Sequence, residues 1–128
     1  MKSVADSYDE LTAQVKKHRP EAKIFVHQYD HAIPTGKGFL GMGQWLKLPM
    51  DTAKVKPSIQ QDVVNLLIDS LGKRLETLEG NANGRVIFLR TTGTLKPEQW
   101  ANELHPTPGG FNKMAKTHWV DAVKTAFV

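Results

Sequence analysis

A chain of 128 residues, 40% hydrophobic and 23% charged, has room for one core and not two. The absence of cysteine excludes disulfides, thiolate zinc centres and cysteine nucleophiles, and no apolar run approaches the roughly 18 residues of a membrane span. The net charge of +4 raises the question of nucleic acid. The basic residues, however, are dispersed (Lys16, Lys17 and Arg19, then Lys73 and Arg74, then Lys113, Lys116 and Lys124) and not interleaved with aromatics, so they read as solvated faces.

The opening MKSVADSYDELT has no apolar signal core, which with the missing cysteines makes a cytoplasmic location the expectation. Val4, Tyr8, Leu11 and Val15 recur at helical spacing, with Ser3 placed to cap the helix and Pro20 to close it. Lys23 to Tyr29, KIFVHQY, is β-branched and aromatic and predicts a strand. The segment from Asp30 to Lys56 has no clean period. Its glycines and prolines surround Trp45 and Leu46, which suits an ordered lid or pocket wall. Pro57, Ser58 and Gln61 predict a helix start with a capping box, and Val63, Leu66, Leu67, Leu71, Leu75 and Leu78 predict its buried stripe, ending at Gly80. RVIFL (85–89) is a second strand. The loop from Arg90 to Pro108 follows, and a last helix runs from about Phe111 to Phe127, burying Phe111, Ala115, Trp119, Val123 and Phe127.

This order predicts an α/β domain with parallel strands. Two strands leave a parallel sheet with bare edges. The chain is therefore expected to complete the sheet by oligomerisation or element swapping, or to be part of a larger fold. Ligands in such sheets bind at the carboxyl ends of the strands, which directs attention to Tyr29-Asp30-His31 and to the loop after the second strand. Within that loop Pro106 biases His105 away from helix. The ring is thus left on an irregular segment, free to serve a site.

VHQYDHAIPTGKG (26–38), RVIFLRTTGTL (85–95) and above all WANELHPTPGGFNKMA (100–115) make the chain resemble the C-terminal portion of the SGNH, or GDSL-like, hydrolases. The resemblance implies a partial flavodoxin-like fold and an ester hydrolase of the esterase and lipase class, needing no cofactor and acting on a small-molecule ester. It makes His105 the general base. Asn102, three residues before it, stands where the family has the aspartate of its Ser-His-Asp triad. Adjacent Glu103 is the alternative orienter. Tyr29 and Asp30 are expected at the pocket rim, and Trp100 as the aromatic wall. The family's Gly-Asp-Ser nucleophile block has no counterpart. Ser3 and Ser58 read as caps, and Ser7 and Ser70 as helix-surface residues.

Other constellations are weaker. His27 and His31 with Asp30 could frame a metal site, but their spacing on a strand-to-loop segment does not put them on one face, and no metal is expected. Gly36-Lys37-Gly38 and Gly41-Met42-Gly43 lack the phosphate-loop pattern and suit turns of a lid. The competing functional class is a non-catalytic binding or oligomerising domain of the same fold.

Overall fold

The computed structural model describes residues 4–38 and 44–127. Helix α1 (Val4–His18) leads into strand β1 (Ile24–His27), and a short helix α2 (Lys47–Thr52) precedes the long helix α3 (Pro57–Gly80). Strand β2 (Val86–Leu89) follows, then a 3-10 turn at Pro97–Gln99. Helix α4 (Pro108–Met114), a π turn (Ala115–Trp119) and α5 (Val120–Ala126) are continuous. Among the described residues β1 and β2 form a two-stranded parallel sheet, with Ile24 opposite Val86 and His27 opposite Leu89. The chain is thus mixed α/β, and no described helix is long and apolar enough to cross a membrane.

The pleat sends alternate side chains to opposite faces. Val26, Val86 and Phe88 meet Leu75 and Leu78 of α3, with Tyr8 of α1, Ile24, Leu71 and Ala82 closing the cluster. Phe25 and His27 point the other way, where the Trp119 ring lies 6.0 Å and 5.6 Å from theirs. Apolar burial drives this assembly, and its extent is limited by the width of the sheet.

The face of α3 differs from the predicted leucine stripe. Its buried residues are Gln60, Val64, Gly72, Leu75 and Leu78, while Leu66 and Leu67 are exposed. Hydropathy missed this rotation because two of the inward positions carry a glutamine and a glycine. Gln28 lies across the helix at residue 72, and a Cβ there would meet its Oε1 at 1.8 Å. Glycine is the side chain that admits it. The Gln28 amide then donates to Thr92 Oγ1 at 2.7 Å.

The predicted capping box is also absent. Pro57 occupies the first turn, Lys56 is the cap residue without a side-chain bond, and Gln61 donates to the Ala32 carbonyl and to Asn65. On α1, Val4 and Leu11 are exposed, and the expected Ser3 cap lies outside the described residues. On the last helix Phe111, Val123 and Phe127 are exposed rather than buried. Two strands offer too little surface to cover the whole stripe, and Trp119 is the residue of that set whose ring packs on Phe25 and His27.

The predicted long loop contains α2. Gln60 clamps it by donating to Asp51 Oδ1 at 2.7 Å. That bond, then the Lys47 ammonium, holds the Asp51 carboxyl below its ordinary 3.8. Because the folded value is depressed, the clamp is at full strength above pH 3.8 and weakens as the pH falls through the lower folded value. A carboxyl NMR titration should show the Asp51 midpoint below that of the unfolded chain, and Gln60→Ala should move it back up.

Candidate functional site

The loop after β2 is built around the His-Pro step. Trp100 and Pro106 form an isolated antiparallel bridge, and the His105 carbonyl accepts from the amides of Ala101 and Asn102 at 2.8 Å and 3.3 Å. The loop therefore closes on itself, with His105 at its exposed tip. Helix α4 begins immediately afterwards at Pro108, three residues before the Phe111 that its apolar pattern indicates. Pro108 suits the first helical turn, and the Thr107 hydroxyl accepts from the Gly110 amide at 3.1 Å. A Cβ on Gly110 would stand 2.7 Å from the Gln99 carbonyl oxygen and 2.9 Å from Pro106 Cβ. Glycine there lets the helix start against the loop.

Asn102 fixes the orientation and the neutral tautomer of the His105 ring. Its Oδ1 accepts from the backbone amides of Leu104 and His105 at 3.0 Å and 2.9 Å, and lies 3.0 Å from His105 Nδ1. Backbone N–H groups only donate, so the atom facing them is the amide oxygen. The same oxygen can bond Nδ1 only if Nδ1 carries the hydrogen. The neutral ring then has its lone pair on Nε2, which makes no hydrogen bond among the described residues. Asn102 is buried, so the arrangement is enclosed on that side. On the other side the Trp45 ring meets the imidazole edge-on, 5.7 Å between centroids and 81° between planes. A cavity of about 440 Å³ opens here, lined by Ala101, Asn102, His105 and Pro106.

Glu103 has a different role from the one the resemblance allowed. It is fully buried. Its Oε1 accepts from the amides of Gly36 at 2.8 Å and Lys47 at 3.0 Å, and its Oε2 from Leu46 at 2.8 Å. The carboxylate thus caps the start of α2, whose own cap residue Leu46 has no side-chain acceptor. It does not orient the imidazole. Adjacent side chains on the loop point in opposite directions, and Asn102 alone of the pair reaches His105.

Asp30 is likewise internal. Only 2% exposed, it accepts from the His31 and Gly93 amides at 2.7 Å and 2.6 Å and from Leu95 at 2.6 Å. It joins the end of β1 to the loop after β2 and forms no rim. Tyr29 is half exposed and lines an apolar hollow with Leu104. Trp100, expected as the aromatic wall, pairs with Pro106 through its backbone and is not among the residues lining the His105 cavity; Trp45, from the long loop, is the ring against His105. A sequence signal for Trp45 existed only as an aromatic in a segment without period. His27, Asp30 and His31 do not converge: His27 Nδ1 bonds the Gln28 carbonyl at 2.9 Å and His31 Nε2 pairs with Asp69 at 2.8 Å.

A second histidine was not singled out by sequence. His118, on the π turn, places Nε2 2.7 Å from Thr94 Oγ1, and that hydroxyl is also 2.7 Å from the Thr91 carbonyl. The carbonyl can only accept, so both contacts are satisfied when Thr94 donates to Thr91 and accepts from the imidazole. That arrangement positions the loop and leaves no activated threonine. His27, whose Nδ1 meets the Gln28 carbonyl, is also left with an unbonded Nε2 among the described residues, but His105 is the histidine that lines the cavity and has a side chain orienting it. No protein-family model, curated protein or solved structure matches this chain.

Proposed function

We propose that the chain provides the histidine half of an SGNH-type ester hydrolase site, His105 acting as general base and Asn102 orienting it. The observation that carries this reading is the Asn102 Oδ1 to His105 Nδ1 bond at 3.0 Å, which leaves Nε2 basic beside a cavity. A serine hydroxyl brought to that cavity would lose its proton to Nε2 as it attacks the ester carbonyl. The imidazolium would return the proton to the departing alkoxide, and water would repeat the sequence on the acyl-enzyme. No cofactor enters. A cysteine-free chain suits such a role in the cytoplasm.

The serine is supplied from outside the cavity's own lining, in this reading by a second copy or partner chain. Support comes from the two-stranded sheet, whose outer edges pair with no further strand among the described residues, and from the exposed Phe111, Val123 and Phe127 on the last helix. The absence of a serine from the cavity lining among the described residues favours a second reading, a non-catalytic binding or oligomerising domain of this fold. Hydrolysis of p-nitrophenyl acetate and butyrate separates the two. His105→Ala should lower the rate by about 100-fold or more, with a fluorophosphonate labelling one serine stoichiometrically. Asn102→Asp should raise it by about tenfold, because a carboxylate stabilises the imidazolium that an amide only orients. An equal rate for the wild type and His105→Ala would sink the hydrolase reading and leave the binding domain.

A further inference from the structure

A second hollow of about 150 Å³, into which no polar surface faces, is lined in part by the chain neighbours of His105 and Trp45. Buried Ala32 and Val64 lie on its inner wall with Ile68; Leu46 and Leu104 complete the lining, and Leu67 forms its exposed lip. Two neighbouring pairs along the chain join it to the base. Leu104 precedes His105, and Leu46 follows Trp45, whose ring abuts the imidazole at 5.7 Å. The hollow also lies beyond the carboxyl end of β1, where Tyr29 contributes to its lining, the edge at which open parallel sheets take ligands.

We infer that this hollow is the acyl pocket, taking a straight aliphatic group of about four to six carbons, because an open hollow of about 150 Å³ with a wholly apolar lining has room for hydrocarbon of that size and gives water no hydrogen-bonding partner. The inference rests on the hydrolase reading for the identity of the ester. The aliphatic character of the pocket rests on its own lining. A carboxylate or ammonium end group finds no partner inside it, so the group bound there is neutral hydrocarbon. An acetyl group leaves the pocket mostly unfilled. A decanoyl chain runs past Leu67, itself 64% exposed, into solvent and gains nothing further.

Hexan-1-ol titrated into the purified chain, followed by backbone amide shifts, tests the pocket without any turnover. Saturable shifts centred on Ala32, Val64, Ile68 and Leu104 are expected. Val64→Phe, which fills the floor, and Leu67→Trp, at a solvent-exposed lip that tolerates the change, should each weaken binding by about tenfold or more. Shifts that do not saturate, that centre elsewhere, or that survive both substitutions overturn the inference. The second arm is a p-nitrophenyl ester series. The kcat/KM should rise about three- to fourfold per added methylene from acetate to hexanoate and then level off. A His105-dependent rate with no such trend sinks the pocket and leaves the hydrolase reading standing. A rate indifferent to His105→Ala sinks that reading, and the alcohol titration still decides whether the pocket takes an aliphatic chain.

Discussion

Glu103→Ala should cost the fold about 3–5 kcal/mol, the range seen when one side of a buried charged network is removed. Its carboxylate is fully buried, and its ion-pair partners among the described residues are none; the negative charge is balanced by three backbone N–H groups. Two of those, on Leu46 and Lys47, open helix α2, where the aligned peptide dipoles favour an anion. Truncation would leave three buried donors without an acceptor, each costing about 1–3 kcal/mol unless water enters. A loss of this size is a large share of the roughly 5–15 kcal/mol that holds a domain of ordinary stability. Urea unfolding measures it as a shift in midpoint at constant slope. Glu103→Gln should recover little, because one oxygen becomes an NH₂ group facing N–H donors. A midpoint unchanged in Glu103→Ala would show that the carboxylate does not hold these segments together.

Gly110→Ala should be nearly as damaging, by about 2–4 kcal/mol, for a steric reason rather than an electrostatic one. The added methyl would sit 2.7 Å from a backbone carbonyl, that of Gln99, and 2.9 Å from the Pro106 ring. Neither is a flexible side-chain end, so α4 or the loop must retreat. Because Pro106 follows His105, the retreat reaches the site. The melting temperature should fall, and the amide resonances of Trp100 to Thr107 should shift together. Gly109→Ala is the natural control, since a Cβ there meets only the Thr107 hydroxyl at 3.8 Å. Equal effects at the two positions would point to helix propensity, not to close packing.

The parts of the fold that were legible in the sequence are those decided locally. Both strands fall inside the segments marked by β-branched and aromatic residues, and α3 runs from Pro57 to Gly80 as its punctuation indicated. The faces were less legible, because burial is decided by what lies opposite. Leu66 and Leu67 look like core residues until the neighbour they would need proves missing, and Gln60 and Gly72 look like surface until Asp51 and Gln28 are placed against them.

At the site, the resemblance paired His105 with Asn102, three positions earlier on one loop, and the structure brings the two side chains into contact. Trp45 was not part of that pairing, since it arrives from 60 residues earlier in the chain. The division of roles between Asn102 and Glu103 depends on which way two adjacent side chains turn. That is settled by the backbone amides of Gly36, Leu46 and Lys47, and no spacing rule contains them.

The long reach of Glu103 also bears on the order in which the molecule acquires its site. Its bonds to Gly36, Lys47 and Leu46 span 67, 56 and 57 residues. Contacts of that separation close large loops and are made after helices and turns have formed. The self-closed His105 loop, whose bonds span only a few residues, can exist before the segment carrying Trp45 has docked. Until Glu103 gathers that segment in, the imidazole has its orienter but not its aromatic neighbour or the Leu46 side of the apolar hollow. Local opening of the native chain would run the same way in reverse. The base would survive as a feature of one loop, while the pocket beside it would come and go with a single buried carboxylate.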